Sequence, residues 1–143
     1  MTIDRQIQGP AGGRAVTAYQ NESVQAARYA SPHSLVAMLI DGAVERVVQA
    51  RGAMERGLIA RKGERIGRAI TIVDSLRASL DVEAGGDIAV NLAALYDYLI
   101  RRLLHANVHN DVLALDEAVR LLKEIKAGWD GIADAAEPAT AVR

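Results

Sequence analysis

His105 and His109 stand four residues apart with Asp111 close behind, the spacing at which two imidazoles on one helix face can share a metal ion. The set lacks the Glu between the histidines and the third strong ligand of a zinc-protease helix, and the apolar period puts a helix end between the two rings. A solvated helix terminus, where His complements the dipole, accounts for them more simply. No His has a Glu three residues before it, so the paired Glu-x-x-His motifs of a di-iron bundle are missing. None of the five serines sits in a Gly-x-Ser-x-Gly elbow, and His33, beside Ser31 and Ser34, reads as part of a capping cluster. Gly85-Gly86-Asp87 imitates a phosphate cradle, but it follows a helix and lacks the P-loop Lys, so it reads as a turn. Arg61, Lys62, Arg65 and Arg68 could meet phosphate or an acidic partner; a solvated helix start is the reading preferred here. The expectation is a protein that is not an enzyme and holds neither metal nor cofactor.

The elements that carry these residues follow from composition. The 143 residues suffice for one ordinary domain with a real core. Fourteen Leu and 26 Ala favour helix, since Ala loses no side-chain entropy there and Leu loses little. Seventeen basic against eighteen acidic side chains leave a formal charge of −1, with no global field to attract nucleic acid or an anionic membrane. The absence of cysteine excludes disulfides, thiolate metal sites and a cysteine nucleophile. The polar start from Met1 to Arg14 lacks the apolar core of a secretory signal, and no stretch approaches the roughly 20 apolar residues of a membrane span. The chain is therefore expected to be soluble and intracellular, without nucleic-acid binding or membrane insertion.

Residues 1–16, with Gly9-Pro10 and Gly12-Gly13, read as a flexible lead, and residues 17–28 as a weakly periodic arm or short helix. At Ser31-Pro32 a capping hydroxyl precedes a ring at the first helical position. Val36, Ile40, Ala43, Val47, Ala50 and Met54 then mark an amphipathic helix to about Leu58, followed by a solvated turn at Arg61 to Glu64. Ile66, Ile70, Val73, Leu76 and Leu80 mark a second helix that stops before Ala84-Gly85-Gly86. Asp87 caps a third, carrying Ile88, Leu92, Leu95, Leu99 and Leu103 to about Ala106. Asp111 caps a fourth, from Val112 to about Ala133, and residues 134–143 read as a frayed tail. Long helices with short connections predict an all-α, antiparallel four-helix bundle over residues 17–133, with a short additional N-terminal element or arm.

A bundle helix needs roughly three apolar positions in seven. The segment from Arg65 to Val82 has 9 of 18, near that share, whereas Ile88 to Ala106 has 14 of 19. Neighbours such as Leu103-Leu104, Tyr96 with Tyr98, and Leu121-Leu122 point about 100° or 200° apart, so one seam cannot bury both members. Either the third helix is central and covered on most sides, or it floors an apolar groove for a partner helix.

Several short segments resemble the flagellar secretion chaperones of the FliS type: Ala18-Tyr19-Gln20-Asn21-Glu22-Ser23-Val24, Ser31-Pro32 followed by Leu35 and Met38-Leu39-Ile40-Asp41-Gly42-Ala43, Leu95-Tyr96-Asp97-Tyr98, Arg101-Arg102-Leu103, Ala106-Asn107 with Asn110-Asp111, and Trp129. The resemblance spans about Ala18 to Ile132. It implies a four-helix antiparallel bundle without enzymatic activity, working in the bacterial cytoplasm. Its surface would receive the disordered C-terminal segment of flagellin, prevent premature polymerisation and deliver the client to the type III export gate. Other flagellar regulators could share that surface. Carried over by position, the partner-binding candidates are Tyr19 on the arm, Leu39, Ile40 and Asp41 on the first helix, Tyr96, Arg101 and Arg102 on the third, and Asn107, Asn110 and Asp111 around the following turn. Ile40 stands where many members have tyrosine, and Val16 where an aromatic often precedes the arm tyrosine. For each candidate a purely structural role competes: tyrosine packing, an intrahelical ion pair, or closing one helix and capping the next. The expected state is a monomer. The alternative is a structural homodimer or adaptor that pairs through its apolar third helix.

Overall fold

The computed structural model describes the backbone of residues 31–142 and, 82 apart, the side chains of residues 31–131. Tyr19 and the N-terminal lead and arm lie outside the described residues. The chain divides into two compact units, Met1–Leu35 and Val36–Arg143. Of the first, residues 31–35 open a helix: Ser31 Oγ accepts the Ser34 N–H at 3.2 Å, the cap expected ahead of Pro32.

Four helices follow in order: α1 (Pro32–Glu55), α2 (Ile59–Ala78), α3 (Val82–His109) and α4 (Val112–Val142). The described residues contain no strand. Side-chain pairs show the directions. Asp41 meets Lys126, and ten residues further along α1 Arg51 meets Asp116, ten residues back along α4, so these helices are antiparallel. Tyr98 with Glu117 and His105 with Asp111 give the same sense for α3 and α4. Arg77 with Asp97 and Lys62 with Asn107 give it for α2 and α3. Ile40, Val47, Ile66, Val73, Leu76, Leu99, Leu103, Leu115 and Leu122 are fully buried between them. Each contributes about 1.5–3 kcal/mol by leaving water. The expected all-α, antiparallel bundle is the fold.

Four boundaries differ from the sequence reading, the first three for a local reason. The first turn comes at Gly57, not at Arg61 to Glu64. With φ 72° Gly57 lets the Leu58 N–H reach Ala53 O and its own N–H reach Met54 O, which closes α1 with its last carbonyls satisfied. Residues 59–64 are then already helical. The second turn comes at Ser79 to Asp81, where Ser79 Oγ donates to Leu76 O and Asp81 Oδ1 accepts the Ala84 N–H. Asp81, not Asp87, is therefore the cap of α3, and the glycine pair lies within that helix, which kinks at Gly86 (φ 57°, ψ −136°). Finally α3 continues through both histidines to His109. Asn110, at φ 52°, adopts the left-handed conformation, and the Asp111 N–H bonds back to Ala106 O. The backbone of α4 is helical beyond Ala133, to Val142.

Candidate functional site

The pairs that one seam cannot bury divide between inside and outside. Leu103, Tyr96 and Leu122 are core, while Leu104 is 51 % exposed and Tyr98 and Leu121 lie half-buried at the edge. Five of the ten large exposed apolar side chains among the described residues belong to α3: Ile88, Val90, Leu95, Leu104 and Val108. Val90, Ala94, Asp97, Arg101, Leu104 and Val108 follow one another at spacings of 4, 3, 4, 3 and 4, which puts them in one stripe along the helix. That stripe looks away from the core positions Ala89, Tyr96, Leu99, Leu103 and Ala106. Its apolar members Leu104 and Val108, the latter 73 % exposed, sit at the end of the bundle that carries both the α1–α2 and the α3–α4 turns. Ile59 and Leu113, equally open, flank those turns.

A polar frame holds the stripe in place. Glu117 on α4 accepts from Tyr98 Oη at 2.6 Å and from Arg102 Nε at 2.8 Å, tying α3 to α4 beside it. The Tyr98 hydrogen bond, seconded by Arg102, holds the Glu117 carboxyl below its usual range, and the same contact raises the Tyr98 hydroxyl. Burial alone raises Tyr96. On the other flank Arg77 of α2 bridges Asp74 and Asp97. Asp111 caps α4 by accepting the Ala114 N–H at 3.2 Å, and its second oxygen lies 3.2 Å from His105 Nε2. The Ala114 amide first, then His105, pulls the Asp111 carboxyl down.

The carried-over candidates therefore fall into separate places. Ile40 and Tyr96 are in the core, so any effect they have on a partner runs through the surface they support. Leu39 packs half-buried against that core. Asp41 is exposed and paired with Lys126 at 3.0 Å, on the α1–α4 side rather than beside α3. Arg101 is on the open stripe, Arg102 in the Glu117 bridge. Asn107, Asn110 and Asp111 come together at the α3–α4 turn.

That turn also holds a residue that the sequence reading placed wrongly. Lys62, which the sequence suggests is part of a solvated cluster, is only 5 % exposed. Its ammonium donates to Asn107 O at 2.9 Å and to Asn110 Oδ1 at 2.7 Å, on the carbonyl end of α3 where the helix dipole favours a cation. The signal was available: Lys62 precedes Ile66, Ala69 and Val73 at helical spacing, so once the helix starts at Ile59 it belongs to the inward face. As for metal chemistry, the rings of His105 and His109 are 4.4 Å apart, and the described residues contain no group of three His, Asp or Glu side chains able to hold an ion. No helix among them is long and apolar enough to cross a membrane.

Comparison with known proteins agrees with the bundle and its motifs. The sequence profile of the family described as Flagellar protein FliS matches residues 15–136. Flagellar secretion chaperone FliSB of Pseudomonas aeruginosa is 51 % identical over 120 residues, covering 83 % of this chain and 95 % of that protein. Flagellar secretion chaperone FliS of Salmonella typhimurium is 49 % identical, and that of Vibrio cholerae 45 %, each over 119 residues, 82 % of this chain and 88 % of theirs. With more than two thirds of its length matched, and with the helical order and turn residues just described, the chain belongs to the FliS family of flagellar secretion chaperones.

Proposed function

We propose that this protein is a cytoplasmic export chaperone that holds the disordered C-terminal segment of flagellin on the outer face of α3, prevents its premature polymerisation and presents it to the flagellar export gate. The observation that carries this reading is the apolar stripe of α3, on a helix that bears half of the large exposed apolar side chains among the described residues, which the bundle does not need for its own core. A client segment that assembles through apolar helix faces must have those faces hidden before export, and a complementary strip hides them without chemistry. Arg101, open in the middle of the stripe, supplies a polar register mark between apolar turns. Because such a segment orders as it binds, part of the contact energy is spent on that ordering, and the complex stays releasable.

Capture of full-length flagellin and of flagellin lacking its C-terminal segment tests the reading, using wild-type chain and the Leu104→Glu/Val108→Glu variant. Full-length client should bind wild type, while either the truncation or the variant weakens capture by about tenfold or more, ~1.4 kcal/mol per decade. Both substituted side chains are solvent-facing, so the melting temperature should stay nearly constant. Equal capture of the truncated client refutes the site, and no capture of either form refutes the function. Sedimentation at low micromolar concentration checks the competing occupant: a second copy on this face would give a dimer that the variant dissolves.

A further inference from the structure

A second surface lies between α1 and α2, at the same end of the bundle as Leu104 and Val108 but with no residue of α3 in its lining. Where the two helices meet at Gly57, a recess of about 390 Å³ opens between them. Val48, Ala53 and Leu58 supply its apolar walls, and Arg56, Arg61 and Arg65 its charge; no carboxylate lines it. Val48 and Leu58 are exposed although apolar, so the recess presents uncovered hydrocarbon to solvent. Its volume is that of a site taking one or two side chains rather than a whole helix.

Among the described residues most cations outside the recess are tied to acids, Lys62, Arg101 and Lys123 excepted. Arg51, Arg68, Arg77, Arg102, Arg120 and Lys126 all meet a carboxylate. Among the described residues Arg56 and Arg61 meet none, and Arg65 reaches only its neighbour Glu64, which Arg68 shares. In addition, the Nε of Arg65 is buried with no hydrogen-bond acceptor among the described residues. A guanidinium offers five donors in a planar fork matched to a carboxylate, and a buried donor left unmatched has a cost that a bound acceptor would relieve. Three positive groups around an apolar hollow, on a chain whose formal charge is −1, are a local feature rather than part of a basic surface.

We propose that this recess is a docking site for an acidic peptide segment of another protein. An apolar side chain of the segment enters between Val48, Ala53 and Leu58, and flanking Asp or Glu carboxylates are received by Arg56, Arg61 and Arg65. The proposal does not rest on the client reading, because no residue of the recess belongs to α3. Flagellin held on α3 and an acidic partner held at the α1–α2 turn could be bound together.

Selection from a random-peptide phage library on the immobilised full chain tests it, followed by fluorescence anisotropy of the selected peptides as synthetic probes. Selected peptides should carry Asp or Glu beside Leu, Ile, Met or Phe, and their binding should weaken as salt is raised. The Arg56→Glu/Arg61→Glu variant should bind them at least about tenfold more weakly. It loses no internal bond and should keep its melting temperature, whereas Arg120→Glu, an exposed charge change on α4, should bind as wild type. Leu104→Glu/Val108→Glu should also bind these peptides normally, even if it fails to capture flagellin. Peptides without acidic residues, equal binding to the Arg56→Glu/Arg61→Glu variant, or loss of binding in the α3 variant would each overturn the proposal. So would displacement of the probes by inorganic phosphate alone, or a wild-type dimer that the arginine variant dissolves.

Discussion

Lys62→Met isolates what a buried ammonium contributes at the end of a helix. The substitution keeps a long unbranched side chain on the inward face of α2 that Lys62 shares with Ile66 and Ala69, and removes only the charge and its two hydrogen bonds. Asn110 is exposed, so its amide oxygen can turn to water. The half-buried Asn107 carbonyl loses a charged donor that the helix end does not replace, and an orphaned buried acceptor costs about 1–3 kcal/mol. Loss of the cation from the α3 terminus adds about 0.3–1 kcal/mol. Against this, the variant no longer desolvates an ammonium, which cancels part of the loss. The net expectation is a destabilisation of about 2 kcal/mol, a fall of roughly 6–12 °C in melting temperature for a bundle of this size. Thermal and urea unfolding followed by circular dichroism at matched pH measure it. Asn110→Gly makes the result specific, because glycine keeps the left-handed backbone at that position while deleting the amide. In the double-mutant cycle the two changes should be coupled by about 1 kcal/mol. A Lys62→Met protein as stable as wild type, or a coupling near zero, would show that desolvation outweighs the contact, and the reasoning would fail.

Gly86→Ala should cost about 1–3 kcal/mol, since φ 57° with ψ −136° is backbone that only glycine adopts readily, while Gly67→Ala, inside α2 with open space around it, should stabilise by about 0.5–1 kcal/mol; urea titration of both tests whether the kink in α3 is strained for any other residue. The Glu117 and Asp111 carboxyls are held down in the folded state, so their contribution is present above the ordinary carboxylate range and is lost as pH falls through their folded values. Tyr98 has the opposite sign: its raised hydroxyl supports the fold below its ordinary value near 10 and that support is lost as pH rises through the folded value. Tyr98→Phe should therefore flatten both the acid and the alkaline limb of the stability profile, and a profile parallel to wild type would refute the assignment of Glu117 to that contact.

The helices were legible in the sequence because their buried faces recur at helical spacing, and Ser31-Pro32 and Asp111 were legible because capping chemistry is local. Turns were less so. Gly85-Gly86 looks like a stop, yet Asp81 caps the helix sooner and Gly86 bends it rather than ending it. The charged run Arg61 to Glu64 looks more like a turn than Gly57 does, yet the left-handed residue and not the polar run decides where the helix closes. Lys62 shows the same limit one step on. Its type says surface, and only the register fixed by Gly57 and the approach of the α3 terminus, 45 residues away in sequence, turn it inward. The apolar surplus of the third helix was countable, but which of Leu103 and Leu104 faces out is a matter of phase.

The stripe remains available to a partner because of what fills the core instead. Eight of the eighteen buried apolar residues among the described ones are alanine, and the chain has no phenylalanine. Seams lined by alanine bring helices close and need few large side chains to close them, so Leu104 and Val108 are not required inside. Register is then set by polar pairs at the edges of the seams, Glu117 with Tyr98 and Arg102, Asp41 with Lys126, Arg51 with Asp116. Stability and the proposed recognition thus draw on different residues of α3, even on adjacent ones: Leu103 supports the bundle and Leu104 faces solvent. Leu103→Ala should cost about 2–5 kcal/mol in unfolding, and Leu104→Ala almost nothing there. If both destabilised the free protein alike, Leu104 would belong to the core and the outer face of α3 would have no surplus to offer.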